Sequence, residues 1–198
     1  MTSIVVPFRG PNGKSRIEPM AHRAALATAM LADVLAACAA VGPTSLATSD
    51  PAAAALAAEL ELDVVADPGG GQGAAVAAAL ATLPGGPVLV VNADVPCVVP
   101  RDLRSLVGAA EVGAIALVEA ADGTTNALGL PDRTLFASLY GPGSAARFHD
   151  EARERGLEFT SLAIPNLADD VDTLEDLRRI ALRAGPHTRA ALAELDAR

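Results

Sequence analysis

The chain has 198 residues, enough for one domain with a sizeable core. Its net charge of −9 and pI near 4.7 exclude a general nucleic-acid binder, which needs a basic face, but not a nucleotide whose phosphates a metal neutralises. Aromatic residues make up only 3%, so the core must be built from Ala, Val and Leu; Cys38 and Cys97 offer neither a disulfide framework nor metal-ligand spacing, which suits a reducing cytoplasm.

Residues 2–6 read as a first strand, too short for a signal-peptide core and closed by Pro7. A loop rich in Gly, Pro and basic residues follows, to Pro19. Residues 20–38 read as a long helix with Leu26, Met30, Leu31, Val34 and Leu35 on one face. Asp33 and Thr28 interrupt its Ala-rich run, which is too polar and short for a membrane span. Residues 43–48 form a second strand, then Ser49 or Asp50 caps a helix opening with Pro51. Residues 63–66 are a third strand. A glycine-rich turn, 67–73, leads into a helix over 74–83.

Segment 88–96, VLVVNADVP, is the most informative stretch. Its apolar run reads as a buried parallel strand starting at Pro87, and Pro96 blocks continuation. Asn92 and Asp94 stand at the carboxyl end, where open α/β sheets bind ligands. A carboxylate there is placed to hold a divalent metal against a phosphate, although Asp is also a common turn residue. A helix over 102–110 and a strand over 114–118 follow. Residues 122–126 are a polar turn offering Thr124, Thr125 and Asn126. Residues 141–144 open a helix over 145–155, an anion site by construction to which Arg147 adds charge. Residues 157–164 read as a strand. Asp172 or Thr173 caps a helix over 174–182, and a charged helix follows Pro186. The alternation implies a single α/β domain over 1–198: a mostly parallel sheet with helices on both faces.

The first loop holds Arg9, Gly13, Lys14 and Arg16. A P-loop requires Gly with four residues between it and the final Gly-Lys, and Phe8 occupies that position. The loop can still wrap a triphosphate with backbone N–H groups and basic side chains, or be a solvated turn. Gly70 and Gly73 let backbone approach a base or ribose, and Gln72 could read an exocyclic group. Asp170 and Asp172 share a face if the segment between them is extended. His22, His149 and His187 have no matching partners, and no spacing supports covalent catalysis.

In order, Val6-Pro-Phe with Lys14-Ser-Arg, Asn92-Ala-Asp-Val-Pro96, Gly123-Thr-Thr-Asn-Ala-Leu128, Gly141-Pro-Gly-Ser-Ala-Ala-Arg147 and Asp170-Val-Asp-Thr173 resemble the 2-phospho-L-lactate/phosphoenolpyruvate guanylyltransferases of deazaflavin coenzyme F-420 biosynthesis. The resemblance runs from Ile4 to about Ile180; residues 10–13 depart from the family's usual loop. It implies a nucleotidyltransferase-A-type (Rossmann-like) fold with GTP and a small phosphorylated three-carbon acid as substrates. It implies that Thr125, Gly141 and Ser144 bind the acid, that Asp94, Asp170 and Asp172 hold Mg2+, and that Lys14 stabilises the leaving pyrophosphate. Asn92 and the two loops, with Arg9, Gly13, Lys14, Gly70, Gln72 and Gly73, would hold the nucleotide. The product is a labile phosphoanhydride, so hand-over to the next pathway enzyme is expected. The Ala-rich helices can pack within the domain or across a homodimer. The rivals are a molybdenum-cofactor or sugar-phosphate nucleotidyltransferase, and a non-catalytic nucleotide-sensing module.

Overall fold

In the computed structural model, which describes residues 1–11 and 20–197, β1 (Ser3–Phe8) lies inside a seven-stranded sheet. It is flanked by β2 (Thr44–Thr48) and β4 (Val88–Val91), both parallel to it, with Val5 opposite Ser45 and Val90. Beyond β2 lies β3 (Asp63–Ala66). On the other side come β6 (Thr125–Leu130), β5 (Ile115–Glu119) and β7 (Phe159–Ser161), giving the order β3-β2-β1-β4-β6-β5-β7. Strand β6 alone runs antiparallel, to β4 and to β5; the sheet is otherwise parallel, as the alternation implied.

Two helical layers form because side chains alternate across each buried strand. Ile4, Val6, Leu89 and Val91 pack against α1 (Met20–Ala39), α2 (Pro51–Glu59), α4 (Pro100–Glu111) and α6 (Pro165–Ala168). Val5, Val88 and Val90 face α3 (Gln72–Thr82) and α5 (Ser144–Glu154). A third cluster joins Leu26 and Met30 of α1 to α7 (Leu174–Ile180) and α8 (Pro186–Asp196) through Leu177, Ile180 and Leu192. Residues 22–39 are apolar and long enough to cross a membrane, yet most of that stretch is buried in the fold.

Asp33, read from sequence only as a polar interruption, accepts the His187 and Thr188 backbone N–H groups at 3.0 and 2.8 Å. It closes the N-terminus of α8, whose own preceding residue, Gly185, has no side chain to do so. Asp50, not Ser49, caps α2 by accepting from Ala53 N–H at 2.9 Å. The strand expected over 157–164 shortens to β7, and Pro165 opens α6. A 3-10 turn, Arg133–Leu135, follows β6.

Candidate active site

The strand ends build the site. Strand β1 delivers Arg9 and Gly10, and β4 delivers Asn92 and Asp94. Because β6 is antiparallel, its first residues, Thr125 and Asn126, lie beside the carboxyl end of β4: Asn92 N–H donates to Asn126 O at 2.9 Å. The 170–172 segment is drawn in by Val171 N–H, which donates to Asp94 O at 3.0 Å, and by burial of the Val171 side chain. Thr173, not Asp172, caps α7, in a capping box with Asp176. Asp172 is thereby left to the site. One oxygen from each of Asp94, Asp170 and Asp172 lies within 4.8 Å of the other two.

Two cavities meet at these carboxylates. The first, about 280 Å³, is lined by Phe8, Arg9, Gly10, Ala27, Met30 and Gln72 among others. The second, about 190 Å³, is lined by Asp122, Thr124, Thr125, Tyr140, Gly141 and Ser144 among others. Gln72, Asn92, Asp94 and Asp172 belong to both walls.

The second cavity is lined by hydroxyls and amides as well as carboxylates. Buried Ser144, at the start of α5, donates its hydroxyl to Thr125 Oγ1 at 3.0 Å, which leaves the Thr125 proton for a ligand. Gly141 (φ +117) and Gly143 (φ +68) make the turn into the helix, a conformation that other residues resist. Arg147 donates to the Leu139 and Pro142 carbonyls, bracing the turn with its charge held beside Gly141 and Gly143. Tyr140, the chain's single tyrosine, stands edge-on to Phe148 at 5.4 Å, and burial pushes its hydroxyl up, so it stays protonated. Asp122 accepts from Thr124 N–H and Oγ at 2.9 and 2.7 Å; that side-chain bond first, then the backbone one, lowers its carboxyl. Neither Tyr140 nor Asp122 was singled out by sequence, although the only tyrosine beside Gly141 was a usable signal.

Electrostatics fit a hard cation. Asp170 is pushed above the ordinary carboxylate range by burial first, then by Asp94 and Asp172; the Asn126 amide opposes this. Clustered, part-buried carboxylate oxygens are a donor set that magnesium accepts, with water and substrate oxygens completing the shell.

Other candidates fall differently. Gly13, Lys14 and Arg16 lie outside the described residues. Gly70 and Gly73 line neither cavity. Gly73 is buried in α3, where any Cβ would overlap Ser138 Oγ, so packing requires its smallness. The helix starts at Gln72, two residues earlier than the sequence implied, and this sets Gln72 at the seam.

Comparison with known proteins agrees with this geometry. The family described as "Guanylyl transferase CofC like" matches residues 2–196. A phosphoenolpyruvate guanylyltransferase of Geodermatophilus obscurus is 36% identical, covering 96% of this chain and 93% of that protein. Another, from Streptomyces avermitilis, is 38% identical over 98% and 94%. Among solved structures, a chain from Desulfovibrio desulfuricans G20, provisionally described as a nucleotide-diphospho-sugar transferase, superposes with a TM-score of 0.81 at 18% identity, covering 100% and 96%. A Methanothermobacter nucleotidyl transferase gives 0.70 at 20% identity, covering 91% and 95%. The fold is that of a nucleotidyltransferase, and the chain belongs to the CofC-like guanylyl transferase family.

Proposed function

We propose that this enzyme transfers GMP from GTP to phosphoenolpyruvate, releasing pyrophosphate, as a step of coenzyme F-420 biosynthesis in the cytoplasm. The observation that carries the reading is the Asp94, Asp170 and Asp172 cluster, of which Asp94 and Asp172 line both cavities. The relatives named phosphoenolpyruvate guanylyltransferase support that acid, and 2-phospho-L-lactate is the alternative acceptor. Non-catalytic sensing would give no reason for carboxylates gathered between two pockets.

In this reading GTP occupies the first cavity. Phe8, Ala27 and Met30 supply apolar wall, and Arg9 meets the triphosphate. The acid occupies the second cavity, its anionic groups taken by the Thr125 hydroxyl, which Ser144 orients, and by the turn at Gly141. An oxygen of the acid's phosphate attacks the α-phosphorus of GTP in line. The new P–O–P bond forms as the bond to pyrophosphate breaks. The attacking phosphate is already anionic, so no side chain need remove a proton. Asp94, Asp170 and Asp172 would hold Mg2+, which neutralises phosphate charge and draws both substrates to the seam. Catalysis then rests on positioning and charge neutralisation.

The test is pyrophosphate release from GTP and Mg2+ with each acid in turn, and ATP as the control. Release with GTP and phosphoenolpyruvate is expected. Release with 2-phospho-L-lactate alone would move the substrate, and release with neither acid would remove the reading.

A further inference from the structure

Asn126 was visible in the sequence only as one amide in a polar turn, and the reaction above gives it no role. It is 1% exposed, and three of the groups around its amide have fixed polarity. Its Nδ2 donates to Leu167 O at 3.0 Å, Ala168 O at 3.4 Å and Asp170 Oδ1 at 3.3 Å. All three are acceptors, so the NH2 group must face them and Oδ1 must face the other way. There Oδ1 accepts from Asn92 Nδ2 at 3.3 Å, which also donates to Thr125 O at 3.1 Å. Asn92 Oδ1 in turn accepts from Gln72 Nε2 at 2.6 Å. The orientation of three amides is therefore dictated from one end, by two backbone carbonyls and a carboxylate. The chain runs from Asp170 to Gln72, which lines both cavities.

We propose that Asn126 is a positioning residue: it aims the Asp170 carboxylate at the divalent cation and, through Asn92, presents Gln72 with its carbonyl left to accept from the nucleotide. This rests on the metal reading above. The donor to Asp170 keeps that carboxylate from turning away from Asp94 and Asp172, whose charges repel it. Hydrogen-bond partners that orient a metal ligand are typically worth 10- to 100-fold in metal affinity or activity. Asn126 touches no reacting atom. Its effect should appear in metal affinity before any nucleotide is bound.

Mn2+ binding to the nucleotide-free protein, followed by the electron spin resonance of the free ion, gives the test. Wild type, Asp94→Ala and Asn126→Ala are compared, with circular dichroism to establish folding. Wild type should bind one Mn2+ that Asp94→Ala loses, and Asn126→Ala should bind it at least about tenfold more weakly. Saturating Mn2+ should recover part of the turnover lost by Asn126→Ala. Wild-type Mn2+ affinity in folded Asn126→Ala overturns the positioning role while leaving the metal reading intact. No Mn2+ site in wild type removes the metal reading and the positioning role with it. Should Asn126→Ala not fold, the wild-type protein answers alone: the Asn126 side-chain amide proton resonances should shift on Mg2+ titration, with the midpoint of binding. Resonances that stay fixed through saturation overturn the proposal.

Discussion

Replacing Asp170 with asparagine should stabilise the metal-free protein and abolish its activity. One carboxylate oxygen from each of Asp170, Asp94 and Asp172 lies within 4.8 Å of the other two. Two unit charges at that separation repel by about 3.5 kcal/mol at an effective dielectric near 20, and by about 0.9 kcal/mol in water. Asp170 is part exposed, so solvent screening moves the gain toward the lower figure, to roughly 1–2 kcal/mol. For a chain of this size that is a rise in Tm of roughly 2–8 °C. Asparagine keeps the oxygen that accepts from Asn126, so the change removes charge with little loss of bonding. The pH dependence has a definite sign. The folded Asp170 carboxyl titrates above its ordinary 3.8, so between 3.8 and that raised value the folded state holds more protons than the unfolded one. Wild-type stability therefore falls as pH rises through this window, and the advantage of D170N grows over the same interval. Denaturant unfolding in chelator at pH 3 and pH 7 measures both. A variant less stable than wild type at pH 7, or an advantage of equal size at the two pH values, refutes the electrostatic reasoning.

Ser144→Ala removes the donor to Thr125 Oγ1, so the Michaelis constant for the acid should rise about 5- to 10-fold while that for GTP stays put; initial rates against each substrate decide it. Arg147→Ala frees the Leu139 and Pro142 carbonyls, and hydrogen exchange should quicken across residues 139–143; unchanged exchange would deny the bracing role. Asp33→Ala leaves two N–H groups at the start of α8 without their acceptor, costing roughly 1–3 kcal/mol by denaturant titration, and a loss under 0.5 kcal/mol would mean that water replaces it. Removing the metal with chelator should lower wild-type Tm but not that of Asp94→Ala, since only a protein that binds the ion gains stability from it.

What the sequence disclosed followed from local physics. Apolar runs marked β1 and β4, and Pro after a buried strand marked where Asp94 would emerge. Asp170 and Asp172 were legible as a pair because alternate residues of an extended segment share a face, and Val171 between them is buried. What stayed hidden depended on distant partners. Residues 127–130, Ala-Leu-Gly-Leu, carry no sign of direction, so the antiparallel course of β6 is set only by its pairing with both β4 and β5. That course alone takes Asn126 to Asp170. Asp33 looked like a flaw in an apolar helix because its partners lie about 150 residues away. The bracing role of Arg147 was hidden because the carbonyls it binds belong to a turn whose shape no pattern announced. The packing of Gly73 against Ser138 was hidden because a glycine needed for packing reads the same as one needed for a ligand.

The most direct test of the proposed transfer follows the α-phosphorus. GTP labelled there is incubated with enzyme, Mg2+ and phosphoenolpyruvate, and the products are separated. The expected result is label in one new species containing both guanosine and the acid, formed in step with unlabelled pyrophosphate. Label recovered only as GTP, GDP or GMP, whether or not the acid is present, would contradict it.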